Sequence, residues 1–481
     1  MSSINIKTTV ILFSTFLTFI ISDPNEKLIF VMTHFRHGAR SSNHLDDDGY
    51  DLVGEQWHIK SALTGVGSRM HYILGYRNRL RYVNEYQFIS EKYNQTEIKA
   101  ISSLRERSQQ SLNSHLQGLY PQNEDLGEVL NEKQKINSNP PINISNPLIE
   151  EKINDLKNFS LPNSMTVPLF EIEDLIEYKS CRGEGTFDSK NVIAIENEFN
   201  EKYKSKYNEF KGSNDNYTFD IIADLAVDFM CDYVDGRKLE KFSNYINKEE
   251  FLNFSKRTFT VLQADRKVTS NATEYAFGNY FVKLLVDYTK LKIDEDLGKS
   301  SKKTNPKMII ISGHDNTMST NHFFLQYALG KSNDFFRTPF FASQMAFEVK
   351  RSNDNKQNRN YSDYYINYYF NDELLLNMSI NEFLEKVEPH IMTDEELDEF
   401  CSTQEENTDS DGANNDGNET NVKLIPYEVV KYRNALVITF ASLLGISLLV
   451  NAFTIYALMK KNNFEQIHNP KIEVSGNNLN V

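Results

Sequence analysis

Residues 34–40 read HFRHGAR and follow an apolar run, Leu28-Ile29-Phe30-Val31-Met32. Arg36, His37 and Arg40 thus concentrate positive charge at the end of a buried-looking strand. Unpaired charge near a core is costly, so these groups need an anionic partner, either a structural carboxylate or a bound anion. A second cluster, SGHDNT at 312–317, follows another short apolar run, Met308-Ile309-Ile310-Ile311. Between them the two clusters hold what a transferring phosphoryl group requires. Its oxygens gain charge and need fixed cations. Arginine supplies paired, planar donors for them. An imidazole nitrogen can attack phosphorus, and a carboxylic acid can protonate the leaving alkoxide. In that chemistry Arg36, Arg40 and a third arginine form the clamp and His37 is the nucleophile. His314 is a further donor, and Asp315 is the acid.

The elements that must position these residues are legible around them. Lys27 to Thr33 reads as a central strand buried on both faces. Leu63 to Asn84 reads as an amphipathic helix, with Met70, Ile73 and Leu74 at helical spacing and arginines on its other faces. Lys99 to Ser103 reads as a second strand, Ser108 to Tyr120 as a helix, and Met308 to Ile311 as a further buried strand. Residues 343–349 and 364–370 flank the polar run KRSNDNKQNRNYS and predict an antiparallel pair. The alternation of strands and helices predicts an α/β core with a mainly parallel sheet flanked by helices. In such sheets ligands bind beyond the C-terminal strand ends, where both motifs sit. Residues 122–275 carry little strand pattern and some helical pieces, notably 220–233, and predict an inserted, mostly helical cap.

RHGAR after one strand and GHDNT after a later one resemble the histidine acid phosphatases, on branch 2 of the histidine phosphatase superfamily. LTGVGSRMHYILGYRNRLRY resembles the helix that follows the first motif in that family. SSLRERSQQSLNSHLQGLYP resembles the segment that bears a third phosphate-binding arginine, which alignment back from Leu119-Tyr120-Pro121 puts at Arg107, with Arg105 as the alternative. TPFFASQMAFEVK and YYINYYFNDE resemble the late strand pair. The likeness covers about residues 27–401 and is weakest in 122–275. It implies the histidine phosphatase fold and a two-step mechanism: His37 becomes phosphorylated while Arg36, Arg40, Arg107 and His314 hold the phosphate oxygens. Asp315 then serves leaving group and water in turn. It implies a phosphate monoester substrate and neither metal nor other cofactor, and it allows a homodimer. The family's proline two residues beyond the second arginine is replaced here by Ser41-Ser42, which puts substrate fit in doubt more than chemistry. A phytase-like or lysophospholipid phosphatase stays open, as does an inactive glycoprotein that keeps the fold, although the intact motif residues argue against the last.

The rest of the chain suggests a membrane setting. It has 481 residues, 40% hydrophobic and 25% charged, which suits a globular protein of more than one subdomain. A net charge of −15 without a long Lys/Arg stretch excludes nucleic acid as a natural partner. Residues 1–22 have the short apolar core of a signal peptide. Residues 435–459, ALVITFASLLGISLLVNAFTIYALM, are uncharged and long enough to span a bilayer. The expected layout is a luminal or extracellular domain at 23–401, with its core at 23–121 and 276–401. An acidic stalk follows at 402–434, then the single transmembrane helix at 435–459 and a cytosolic tail at 460–481. Lysosome, another acidic vacuole and cell surface all stay open as destinations. Asn94, Asn143, Asn158, Asn216, Asn253, Asn271, Asn360, Asn377 and Asn418 each head a glycosylation sequon. Of Cys181, Cys231 and Cys401, a pairing of Cys181 with Cys401 is the expectation for an oxidising compartment. No spacing of His or Cys suggests a metal site. His34 and His71 read as structural, His44 and His58 as loop residues. Trp57 reads as a residue near the mouth that could touch substrate.

Overall fold

The computed structural model describes residues 26–397, apart from 122–131, 138, 143–146, 156–170, 173–189, 265–270, 301–305, 333–334, 353, 355, 357 and 394. The expected signal peptide, stalk, transmembrane helix and tail lie outside the described residues, as do Cys181, Cys401, Asn143, Asn158 and Asn418. Among the described residues no helix is long and apolar enough to cross a membrane.

Seven strands form one sheet: β1 (Glu26–Arg36), β2 (Ile98–Ser102), β3 (Glu171–Ile172), β4 (Met308–Gly313), β5 (Gln344–Ser352), β6 (Tyr364–Phe370) and β7 (Glu373–Ser379). Their order is β3-β2-β4-β1-β5-β6-β7. β3 to β1 pair in parallel, whereas β1–β5, β5–β6 and β6–β7 are antiparallel. The sheet is therefore mixed rather than mainly parallel. Short links account for two of the three antiparallel pairings, β5–β6 and β6–β7. Residues 353–363 and the two-residue turn Asn371-Asp372 are too short for the crossover a parallel neighbour needs. The β6–β7 hairpin was not expected, because ELLLNMS lacks a clean two-residue alternation.

β1 also runs three residues past its expected end, through His34, Phe35 and Arg36. Its side chains alternate between two cores. Phe30 and Met32 join Ile309 and Ile311 against the helices at Asn271–Asp296 and Asp315–Ala328. Val31 and Phe35 join Met308 and Ile310 on the other face. That second face is covered by α1 (Gly65–Arg79) and α2 (Glu106–Leu119). The two helices approach closely because each has a glycine at the contact. A Cβ on Gly75 would meet the His115 carbonyl oxygen at 2.0 Å, and one on Gly118 would meet that of Tyr72 at 1.9 Å.

α1 is not amphipathic in the expected sense. Met70, Ile73 and Leu74 are buried, but so are Arg69 and Arg77, and so is Arg81 in the π turn Leu80–Glu85 that continues the helix. The arginines that read as a solvent face are buried in polar pairings. Arg81 grips Glu348 of β5 with two donors, one at 2.7 Å. Arg77 pairs with Asp372, and Arg69 donates to the carbonyls of Lys135 and Ile153.

Between β2 and β4 the described residues of 122–264 are mostly helical, apart from β3: α3 (Glu132–Asn137), α4 (Pro147–Asp155), α5 (Lys190–Lys202), α6 (Lys204–Lys211), α7 (Phe219–Val234), α8 (Glu240–Ser243) and α9 (Lys248–Ala264). Phe199, Tyr203, Phe229, Phe242, Phe251 and Phe254 give them a core of their own. A smaller cluster of Ala39, Val66, Met70, Met230, Cys231, Phe259 and Phe341 joins cap to sheet directly beneath the first motif. α10 (Asn271–Asp296), α11 (Asp315–Ala328) and α12 (Ile380–Val387) complete the described helices.

Candidate active site

Strand register brings the two motifs together. Phe35 of β1 and Ser102 of β2 both lie opposite Ser312 of β4. The residues that follow these three strands therefore emerge at one edge of the sheet. His37 N–H donates to the Gly313 carbonyl at 3.0 Å, and Ser103 N–H to that of Ser312 at 3.1 Å. β5 runs the opposite way, so the segment before it reaches the same edge: Arg36 N–H donates to the Ser343 carbonyl and Ala342 N–H to that of His37. Ala342 sits in the left-handed region at φ 56°, a conformation an alanine holds only where its surroundings impose it.

Gly38 is required at the bend after β1. A Cβ there would lie 2.3 Å from the Gly67 carbonyl oxygen, and one on Gly67 would lie 2.2 Å from that of Ala39. Two missing side chains thus let the bend rest on the first turn of α1. His71 of α1 sits 3.0 Å through Nε2 from the Arg36 carbonyl, holding the strand end from below. His34 faces the other layer and accepts from Asn321. Both histidines are structural, as expected.

His37 is almost fully buried. Its Nδ1 lies 2.8 Å from the Gly38 carbonyl, which can only accept, so Nδ1 carries the proton and Nε2 the lone pair. Burial holds its pKa well below the ordinary imidazole value, and the charges of Arg107, Arg36, His314 and Arg40 push the same way. The ring is thus biased toward its neutral form, with its lone pair on Nε2. Arg36 lies between the rings of Phe341 and Phe259, 4.3 and 4.9 Å from their centroids. It donates to the Pro339 carbonyl at 3.1 Å and pairs with Asp315 at 2.7 Å. Arg40 donates to the Ser41 carbonyl at 2.8 Å, and no carboxylate pairs with it among the described residues.

His314 caps the N-terminus of α11, and Asp315 is the first residue of that helix. The His314 ring lies edge-on to His37 with centroids 5.4 Å apart. Its Nε2 is 2.9 Å from the buried Ser103 hydroxyl. Arg107 reaches the same ring, with Nη2 3.4 Å from Nδ1. Burial and the neighbouring Arg40 lower its pKa to about 10, which leaves it charged. Arg105 is exposed at the start of α2. Of the two candidates, Arg107 is the one gathered with the other five residues. Burial alone would raise the Asp315 pKa, but the charges of Arg36, His314 and Arg40 outweigh it and the net shift is downward.

Four charged side chains therefore converge with two imidazoles, and three of the four are cations. The helix N-terminus at Asp315 adds further positive potential. Such an arrangement receives a small tetrahedral anion and sets a neutral imidazole against it. Trp57 does not line this space: it is buried, donates to Asp51 and Asp232, and lies under the Arg237 guanidinium. His58 is exposed, whereas His44 is bonded to the cap. Ser103, Phe341 and Phe259 were not singled out from sequence. Ser103 could have been, since it follows a parallel strand at the edge where ligands bind. The two phenylalanines had no such signal. Among the described sequons, Asn216, Asn253, Asn360 and Asn377 are exposed and Asn94 is half-buried.

The sequence profile of the histidine phosphatase superfamily (branch 2) matches residues 27–371. A lysosomal acid phosphatase of Xenopus laevis is 36% identical over 99 residues, which are 20% of this chain and 22% of that protein. Among solved structures, the apo phytase of Hafnia alvei is similar at 12% identity and a TM-score of 0.46, covering 77% of this chain and 98% of its own. The Citrobacter braakii phytase is similar at 13% identity and a TM-score of 0.46, with 76% and 98% covered.

Proposed function

The chain belongs to the histidine phosphatase superfamily, branch 2, and from that premise we propose that it is a membrane-anchored acid phosphatase that hydrolyses phosphate monoesters through a phosphohistidine at His37. The observation that carries the proposal is the tautomer of His37. Its Nδ1 proton is spent on the Gly38 carbonyl, so the lone pair left for attack is on Nε2. The phosphate oxygens take the donors of Arg36, Arg40, Arg107 and His314. Asp315 protonates the leaving oxygen and then draws a proton from the attacking water.

The electrostatics suit work in acid. The depressed pKa of His37 keeps it unprotonated where a free imidazole would be charged. The Asp315 pKa is held down chiefly by Arg36 against the opposing effect of burial. A bound phosphate offsets those cations and lifts the Asp315 pKa, so the proton enters with the substrate and is easier to supply in acid. Three arginines provide the charge neutralisation that a metal would otherwise supply, so the proposed reaction is metal-independent. Residues 435–459 anchor the domain, and an acidic compartment or the cell surface is the proposed location.

The test is p-nitrophenyl phosphate hydrolysis by the full chain across pH, with EDTA present, for the native protein and His37→Ala. Activity that peaks in acid, survives EDTA and disappears in the variant is expected. Activity retained in His37→Ala would mean another nucleophile.

A further inference from the structure

The loop after Arg40 closes on itself and is fastened to the cap through one imidazole. Ser41 N–H donates to the Ala62 carbonyl at 2.9 Å and its hydroxyl to that of Ile59 at 2.6 Å. Ser61 N–H donates to the Ser42 carbonyl, and His44 N–H to the Ser42 hydroxyl. Beyond that turn the His44 ring reaches α7. Its Nδ1 lies 3.1 Å from Asp228 Oδ1 and its Nε2 lies 3.5 Å from Asp224 Oδ2.

The two aspartates stand four residues apart, one above the other on the same face of α7. A neutral imidazole has a single N–H and can donate to only one of them, while an imidazolium donates to both. The ring hydrogen-bonds Asp228 through Nδ1 and stands within ion-pair range of Asp224 through Nε2, so protonation is what engages the second aspartate. Asp228 needs the charge most. Its side chain is fully buried, and its second oxygen, Oδ2, has no hydrogen-bond partner. A carboxylate so placed is expensive without a counter-charge.

This fastening lies four residues from the clamp. Arg40 donates to the Ser41 carbonyl, so the peptide that orients its guanidinium belongs to the loop that His44 holds. We propose that His44 is a proton-dependent positioning residue: as an imidazolium it locks the 41–62 loop to α7 and thereby fixes Arg40 in the phosphate clamp, and on losing its proton it lets the clamp slacken. The inference rests on the phosphatase reading above, and it makes phosphate binding, rather than the chemical step alone, tighter in acid.

The surrounding charges agree with that direction. The hydrogen bond from Asp228 raises the His44 pKa, burial opposes it, the charges of Asp228 and Asp224 add to it and Arg40 subtracts. Asp220, on the same face of α7, acts on Asp224. Deeper in the junction Asp51 of the loop and Asp232 of α7 meet beneath Trp57. Burial raises both of their pKa values, so that pair keeps one proton, and Arg237 beside Asp232 offsets the charge that remains. An imidazole with a raised pKa contributes fully below its unfolded value, about 6.5. That contribution fades as pH rises through the raised value. The lock is therefore closed in acid and opens toward neutral and alkaline pH.

The experiment measures KM and kcat for p-nitrophenyl phosphate with the full chain from about pH 4 to 8. It compares the native protein with His44→Gln, Asp224→Asn and Asp224→Glu. In acid, His44→Gln raises KM by about tenfold with much less change in kcat, as expected for a misplaced binding group. The two proteins converge at high pH. Asp224→Asn moves the native rise in KM to lower pH by about half a unit to one unit, and Asp224→Glu restores it. Because Asp224 is half-exposed, its variants keep the test intact if His44→Gln fails to fold. Affinity for inorganic phosphate, read by calorimetry on the same proteins, follows the same profile and needs no turnover. Native protein that binds phosphate in this pattern without hydrolysing ester would sink the phosphatase reading and leave the lock standing. KM and phosphate affinity that change equally at every pH, or not at all, would overturn the lock.

Discussion

Two regions of this sheet bury arginine beside carboxylate, and they do opposite things with it. Under α1, Arg81 donates twice to Glu348, Tyr82 adds a hydroxyl at 3.0 Å, and Lys350 stands 3.1 Å away and also reaches Glu26. Every charge there has an opposite within reach. At the strand ends, Arg36 alone is matched, by Asp315, while Arg40 and Arg107 bring further positive charge. The first region is closed and the second is unbalanced. The difference teaches how to read buried arginines: a matched pair holds elements together, whereas a surplus of cations around an unprotonated imidazole is a place for an anion. The pKa shifts follow the same division. Glu348 falls to about 2 because Arg81 overrides the effect of burial. The charges around His37 and its burial act in the same direction.

The contrast can be broken by exchanging the readouts. His37→Ala should lower kcat by a factor on the order of 10⁴ or more, as loss of a nucleophile does, while the thermal midpoint hardly moves. Glu348→Gln should do the reverse. Breaking a buried pair by removing one partner costs about 3–5 kcal/mol, seen as a large fall in the denaturation midpoint, with activity per folded molecule preserved. The sign with pH is fixed as well. A carboxylate with a depressed folded pKa stabilises fully above its unfolded value and loses that effect progressively as pH falls to and through the folded one. The Glu348 contribution should therefore be complete above about pH 4.5 and fade as pH falls toward about 2. Equal stability of native protein and variant at pH 5 would contradict it.

Asp315→Asn sharpens the account of the unbalanced region. The loss in kcat should be about 10²- to 10⁴-fold for an alkyl phosphate, whose leaving group must be protonated. It should be much smaller for p-nitrophenyl phosphate, whose phenolate leaves without a proton. Equal losses on both substrates would mean that Asp315 serves only to hold Arg36. The smallest effect separates two neighbours. Arg107→Ala should cost about 1.5–3 kcal/mol of phosphate binding, the range of a charge-assisted hydrogen bond, and Arg105→Ala almost nothing. Comparable rises in KM for both would place the third cation wrongly.

What the sequence revealed and what it hid divide along the same line. The site was legible because its residues sit at strand ends: Arg36 at the end of β1 with His37 and Arg40 just after it, His314 and Asp315 after β4. Apolar runs marked those strands, and their parallel pairing then placed the ends together. Arg107 against Arg105 could not be decided from spacing, because it depends on which side of the first turn of α2 faces His314. The closed network was misread altogether. Arg77 and Arg81 look like surface residues of an amphipathic helix, and the carboxylate that buries Arg81 lies 267 residues away. The antiparallel half of the sheet was undercounted because β7 lacks a clean alternation and because the pairing of β5 with β1 joins strands far apart in sequence. His44 reads as a loop histidine until α7 is folded against it.

The central claim is that phosphate becomes covalently attached to His37. The direct measurement is rapid mixing of the full chain with ³²P-labelled substrate, followed by an alkaline quench, under which phosphohistidine survives, and peptide mapping. Label on the peptide that carries residues 34–40, absent from His37→Ala, is the predicted result. Label on another residue, or turnover that proceeds with no labelled protein at any quench time, would contradict it.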